Sequence, residues 1–198
     1  MSKVIIIDDE PLARSIVKEY LSRYPEMEVV QECGDGFEGV KAITAWQPDL
    51  IFLDIQMPKI SGFEMLELID NPPGVIFTTA FDEFAMQAFE TNAVDYLLKP
   101  FSQDRFEKAI EKWKNQQPKN EAIKPLLEDQ VKQPEESTRV VVKVGSAIKI
   151  LPIQEILYIE AYDDYVKIYT KDGFHLKKKT MSFFEKALDP KQFVRVHR

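Results

Sequence analysis

Apolar residues in the first 117 positions fall into short unbroken runs separated by amphipathic stretches. Val4-Ile5-Ile6-Ile7 and Leu50-Ile51-Phe52-Leu53 do not alternate with polar residues, so each predicts a parallel strand buried on both faces. The pattern predicts strands near 3–8, 28–33, 49–54, 74–79 and 94–98, with helices near 10–23, 36–46, 62–70, 83–91 and 103–116. In the first helix Leu12, Ile16, Val17, Tyr20 and Leu21 recur at helical spacing and predict its apolar face.

Beyond residue 117 the pattern changes. Pro118, Pro125 and Pro134 interrupt a Gln- and Glu-rich stretch over 118–137, which predicts a linker with one short helical piece. Short runs at 140–144, 147–151, 156–161, 165–170 and 174–178 predict strands, several of them alternating. Gly145-Ser146, Asp163-Asp164 and Asp172-Gly173 supply turns between some of these strands. Residues 181–188 predict a short helix capped by Thr180 or Ser182, and 193–196 one more strand. The organisation is thus a domain over 1–117, a linker over 118–137 and a mostly β domain over 138–198. Five βα units with right-handed crossovers predict an α/β first domain, a flavodoxin-like doubly wound sheet of five parallel strands.

An apolar content of 44% suffices for packed cores, and no stretch approaches the roughly 18 continuous apolar residues of a membrane helix. The opening Met1-Ser2-Lys3 lacks a signal-peptide layout, and the single cysteine, Cys33, excludes an internal disulfide and sits where a buried strand residue is expected. A cytoplasmic protein is expected. The net charge of −7 is unevenly distributed: residues 1–120 carry −9, 121–137 carry −3 and 138–198 carry +5. The last segment has the sign that suits nucleic acid, although a lysine-rich solvated face would read the same way.

Asp8 and Asp9 end the first apolar run and Asp54 the third, so three carboxylates meet at the edge of the sheet where ligands bind. Two unit charges about 4 Å apart repel by roughly 4 kcal/mol at an effective dielectric near 20, so the cluster calls for a cation. Hard oxygen donors of this number suit Mg²⁺, which shares its shell with water and phosphate oxygens. Thr79 ends the fourth strand and Lys99 the fifth, followed by Pro100, at an X-Pro bond where a cis peptide is least costly. Each residue alone has an ordinary explanation as helix cap, strand former or solvated charge. As an ordered set they can hold a phosphoryl group attached to a carboxylate.

On these residues, with Met57-Pro58 and Gly62 after Asp54, Ala80 after Thr79, and Tyr96 before Lys99, residues 1–117 resemble the receiver domain of bacterial two-component response regulators. The resemblance implies that Asp54 accepts a phosphoryl group from a histidine kinase. It implies that Asp9, Asp54 and the backbone carbonyl of Gln56 bind Mg²⁺ directly, with Asp8 acting through water. Lys99 and Thr79 would contact the phosphoryl oxygens, and Thr79 and Tyr96 would form the switch pair. The stretch from Phe81 to Ala85 and the run Asp95 to Phe101 resemble the LytR/AlgR group, whose output domain is called LytTR. That group implies a homodimer through the fourth helix, fifth strand and fifth helix, where Glu83, Gln87, Glu90, Asp95, Asp104 and Lys108 lie; an ordinary solvated surface is the alternative. Phe81, two residues after Thr79, is placed to hinder hydrolytic water.

Residues 138–198 resemble the first part of a LytTR domain, through the segments 141–144, 156–161, 165–166, 172–173 and 193–198. The family implies that loops between strands enter successive major grooves. Tyr165 and Arg198 fall where it places DNA contacts, and Arg suits the paired acceptors of guanine. Lys177, Lys178 and Lys179 are candidates for phosphate attraction, or equally a solvent-facing run. A LytTR domain of the usual length continues for some tens of residues past the motif ending at Arg198, so the chain reads as carrying an output domain truncated on its C-terminal side.

The expected function is a non-enzymatic, phosphorylation-controlled transcription regulator. The alternative is a receiver acting through protein contacts or as a phosphate sink. A haloacid dehalogenase-type phosphatase fits poorly, because it wants an Asp two residues after its first-strand nucleophile, and Glu10 stands at that spacing from Asp8.

Overall fold

The computed structural model describes residues 1–81, 93–116, 138–145 and 147–196. The chain divides into two compact units, Met1–Leu127 and Glu128–Arg198.

In the first unit, β1 (Ser2–Ile7), β2 (Met27–Cys33), β3 (Leu50–Leu53), β4 (Gly74–Thr79) and β5 (Asp95–Leu98) form a parallel sheet in the order β2-β1-β3-β4-β5. The order reverses between β1 and β3, which opens a crevice at their carboxyl ends. The helices are α1 (Pro11–Leu21), α2 (Gly36–Trp46), α3 (Gly62–Leu66) and α4 (Gln103–Gln116). The unbroken apolar runs are needed because both faces are covered: Val4–Ile7 and Leu50–Leu53 are buried throughout. On one face Ile6, Phe52 and Ile76 pack with Val17, Phe106 and Ile110, with the rings of Phe52 and Phe106 stacked at 5.1 Å.

Two details depart from the sequence expectation. Leu12 is 73% exposed, and α1 buries Ala13 in its place beside the expected Val17 and Leu21. The helix expected over 62–70 is regular only over Gly62–Leu66. Its bonds then tighten, with the N–H groups of Leu68 and Ile69 donating to Met65 and Leu66, and Pro72 and Pro73 have no N–H to continue it. The helix expected near 83–91, with Glu83, Gln87 and Glu90, lies outside the described residues.

In the second unit, β6 (Arg139–Val144) and β7 (Ala147–Pro152) form one antiparallel pair, and β8 (Tyr158–Tyr162), β9 (Tyr165–Thr170) and β10 (Gly173–Lys177) form a three-stranded sheet. Gly145 turns the first hairpin at φ +60°, a left-handed conformation that glycine adopts without steric cost. Helix α5 (Met181–Ala187) is capped by Thr180, whose hydroxyl accepts from the Phe183 N–H. Val142, Leu151, Ile168 and Phe184 lie at the centre of this core. The strand expected over 193–196 does not form. Phe193 packs on the core while Val194 and Val196 project outward, and among the described residues no strand lies alongside to complete a ladder.

Candidate functional site

The crevice at the carboxyl ends of β1 and β3 gathers the residues expected there. Asp8 and Asp54 are buried, at 1% and 5% exposure, and Asp9 is more open. One carboxylate oxygen from each of Asp8, Asp9 and Asp54 falls within a group whose members all lie within 4.8 Å of one another. Lys99, just past β5, reaches between two of them: its Nζ lies 2.7 Å from Asp8 Oδ2 and 3.0 Å from Asp54 Oδ2. The Lys99–Pro100 peptide bond is cis.

Main-chain groups hold these acids in place. The Asp54 N–H donates to the Ile7 carbonyl, continuing the β1–β3 ladder, and the Gln56 N–H donates 3.3 Å to Asp54 Oδ1. Asp8 Oδ1 accepts the N–H of Glu10 at 2.9 Å, just ahead of Pro11 at the start of α1. Gly62 closes the loop after Asp54, its N–H donating 2.8 Å to the Ile55 carbonyl.

The charges are unbalanced. Burial pushes the Asp8 carboxyl above the usual carboxylate range against the pull of Lys99, and the charge of Asp54 adds to the rise. Burial raises Asp54 as well, again opposed by Lys99. Burial alone would lower Lys99, but the hydrogen bond to Asp8 and the charges of Asp54 and Asp8 hold it above its ordinary value. A single ammonium thus serves two buried carboxylates with a third beside them, an arrangement a divalent cation would relieve. The hard-oxygen donor set fits Mg²⁺. The Cys33 thiol, pushed up to about 12 chiefly by burial, is a packed strand residue and not a nucleophile.

Thr79 is fully buried at the end of β4; its carbonyl accepts the Lys99 N–H at 2.7 Å, and its Oγ1 accepts the Phe81 N–H at 3.4 Å. The hydroxyl of Tyr96, on β5, donates to the Phe81 carbonyl, so Phe81 connects Thr79 to Tyr96. Asp95 pairs within its own chain, its Oδ2 accepting Arg105 Nη1 at 2.6 Å. Arg14 was not singled out from the sequence, yet its Nη1 donates 2.6 Å to the Asp8 carbonyl. The only sequence signal for it is a basic residue one turn into α1, too common to select.

In the second unit, Tyr165 is exposed where β9 begins. Lys178 is exposed, and Lys179 is half-buried with Nζ 4.4 Å from the centre of the Phe183 ring. Lys177 requires a correction. It is 8% exposed, and its Nζ donates 2.9 Å to the Val141 carbonyl on β6. Strand alternation turns it inward while Lys178 points out. Arg198 lies outside the described residues. Among the described residues no helix is long and apolar enough to cross a membrane.

Residues 4–111 match the family model of the response regulator receiver domain, and residues 146–198 that of the LytTr DNA-binding domain. The sensory transduction protein LytT of Bacillus anthracis is 33% identical over all of this chain and 81% of its own. An uncharacterized response regulatory protein of Vibrio cholerae is 36% identical over 98% of this chain and 81% of its own. The transcriptional regulatory protein BtsR of Escherichia coli is 37% identical over 87% of this chain and 71% of its own. Among solved structures, the response regulatory domain of mrkE from Klebsiella pneumoniae superimposes with a TM-score of 0.51 at 34% identity, over 58% of this chain and 99% of that one. The chain belongs to the response regulators of the LytR/AlgR type, phosphorylation-dependent transcription regulators of two-component systems that couple a receiver domain to a LytTR DNA-binding domain.

Proposed function

We infer that Asp54 is the residue that receives the phosphoryl group. A carboxylate oxygen of Asp54 attacks the phosphorus of a phosphohistidine on the partner kinase; a P–O bond forms as the P–N bond breaks. The observation that carries this reading is the placement of Lys99, within 3.0 Å of both Asp8 and Asp54 in a pocket of three carboxylates. Asp9, Asp54 and the Gln56 carbonyl would hold Mg²⁺, with Asp8 acting through water. When bound, the ion supplies positive charge against the phosphoryl oxygens. Lys99 and Thr79 then take those oxygens by charge-assisted and neutral hydrogen bonds.

The relay from Thr79 through Phe81 to Tyr96 supports a switch role for Thr79 and Tyr96. A Thr79 hydroxyl drawn toward the phosphoryl group gives up its bond to the Phe81 N–H, which unsettles the carbonyl that holds Tyr96. The signal passes from a receiver over 1–117, through a linker over 118–137, to a DNA-binding domain over 138–198. Tyr165, Lys178, Lys179 and Arg198 are the DNA contacts of this reading, and a homodimer forms through the face that includes β5 and α4. The protein acts in the cytoplasm.

The test is labelling of the full chain by a radiolabelled small acyl phosphate with Mg²⁺, for the native chain and for Asp54→Asn. Label on the native chain that is lost in the variant is expected. Equal labelling of both would overturn the assignment of Asp54.

A further inference from the structure

The acid pair is also held from behind. The Arg14 side chain is only 18% exposed, and its Nη1 donates 2.6 Å to the main-chain carbonyl of Asp8. Its Nε lies 3.6 Å from Glu32 Oε2 on β2, while Glu32 Oε1 takes Lys18 Nζ at 2.6 Å. The Asp8 N–H donates 3.0 Å to the Cys33 carbonyl, the next rung of the β1–β2 ladder. The main chain at Asp8 is therefore gripped on its N–H side by β2 and on its carbonyl side by α1.

That carbonyl belongs to the planar peptide unit joining Asp8 to Asp9. Fixing its oxygen fixes the plane from which Asp9 departs, and Asp9 is the most open of the three acids. A guanidinium bond to a carbonyl is charge-assisted, and the Glu32 carboxylate partly balances the charge of this mostly covered guanidinium. The planar guanidinium bonds the carbonyl through Nη1 while its buried Nε, which makes no hydrogen bond among the described residues, stays in ion-pair range of Glu32; a lysine ammonium would offer a single point charge instead.

We propose that Arg14, seated by Glu32, is a positioning residue that sets the Asp8–Asp9 peptide plane and so aims the Asp9 carboxylate at the cation shared with Asp54. This rests on the reading of the pocket as a Mg²⁺-dependent phosphoryl acceptor.

The experiment follows the rate of labelling of the full chain by a small acyl phosphate across Mg²⁺ concentrations. The chains compared are the native protein, Arg14→Gln, Arg14→Lys and Glu32→Gln, each with a thermal melt without added Mg²⁺. Arg14→Gln is expected to raise the Mg²⁺ concentration at half-maximal rate by about tenfold, the usual loss when an outer partner of a metal ligand is removed. The rate at saturating Mg²⁺ should change little, and Arg14→Lys should recover part of the shift. An unshifted half-saturation in a cooperatively folded Arg14→Gln overturns the proposal, as does a fall in maximal rate alone. Should Arg14→Gln not fold, unshifted values in both Arg14→Lys and Glu32→Gln reject it. A native chain that takes no label at any Mg²⁺ concentration sinks the underlying reading; a native chain that labels beside unshifted variants sinks this inference alone.

Discussion

The carbonyl oxygen of Asp54 occupies the space into which a side chain at residue 62 would grow: a β-carbon on Gly62 would stand 2.3 Å from it. The obstacle is backbone and cannot swing aside as a flexible side chain would. Gly62→Ala is expected to displace the loop behind Asp54 and to destabilise the receiver by about 1–3 kcal/mol, the usual cost of overpacking. Urea denaturation measures the loss, and acyl phosphate labelling should slow in the same variant. A variant as stable as the native chain would show that α3 can retreat without cost.

Asp95 gives a pH-dependent signature. Burial works to raise its carboxyl, but the Arg105 hydrogen bond, the Tyr96 N–H and the charges of Arg105 and Lys112 hold it below the usual carboxylate range. A carboxyl lowered on folding stabilises the fold above its unfolded pKa, and that contribution fades as pH falls through the folded value. Arg105 is 39% exposed, so the contribution is discounted to about 1 kcal/mol or less. Asp95→Asn should cost this much at pH 7 and nothing in strong acid. A difference that stays constant from neutral pH down to acid would contradict the assignment.

Lys177 and Lys178, adjacent in sequence, should behave oppositely. Removing the Lys177 ammonium leaves the Val141 carbonyl unpaired in a buried position, at a cost of about 1–3 kcal/mol. Lys177→Ala should therefore lower the melting temperature of the C-terminal unit, whereas Lys178→Ala should change stability by less than about 0.5 kcal/mol. In a DNA shift assay Lys178→Ala should weaken binding and flatten its salt dependence. The reverse pattern would return Lys177 to the surface.

Phe81 links the switch residues and is 39% exposed beside the crevice. A bulky ring at this point hinders water better than a methyl group. Phe81→Ala is expected to shorten the lifetime of the acyl phosphate, read as loss of label over time after removal of the donor. An equal or longer lifetime would exclude a shielding role.

Much of the receiver site was legible before the fold. Asp8, Asp9, Asp54, Thr79 and Lys99 each end an apolar run, and in a parallel sheet all such ends point the same way, so run order alone brings them together. The lysine run 177–179 was legible as a group, but which of its members faces the core was not. Arg14 could not be selected, because its partner is a main-chain carbonyl and carbonyls carry no sequence signal. Leu12 misled for a related reason: helical spacing marks apolar positions, but where a helix meets its sheet decides which of them is covered.

From the chain alone came the alternation of strands and helices, the buried β1 and β3, and the inventory of charged groups at the crevice. These depend on local periodicity and on residue order, both of which can be read in one dimension. Only the tertiary structure decided that Lys99 spans Asp8 and Asp54, that Arg14 grips the Asp8 carbonyl, that Lys177 turns inward to Val141, and that 193–196 is not a strand. Each of these depends on which groups distant in sequence are brought within about 3 Å of one another, a distance set by packing in three dimensions.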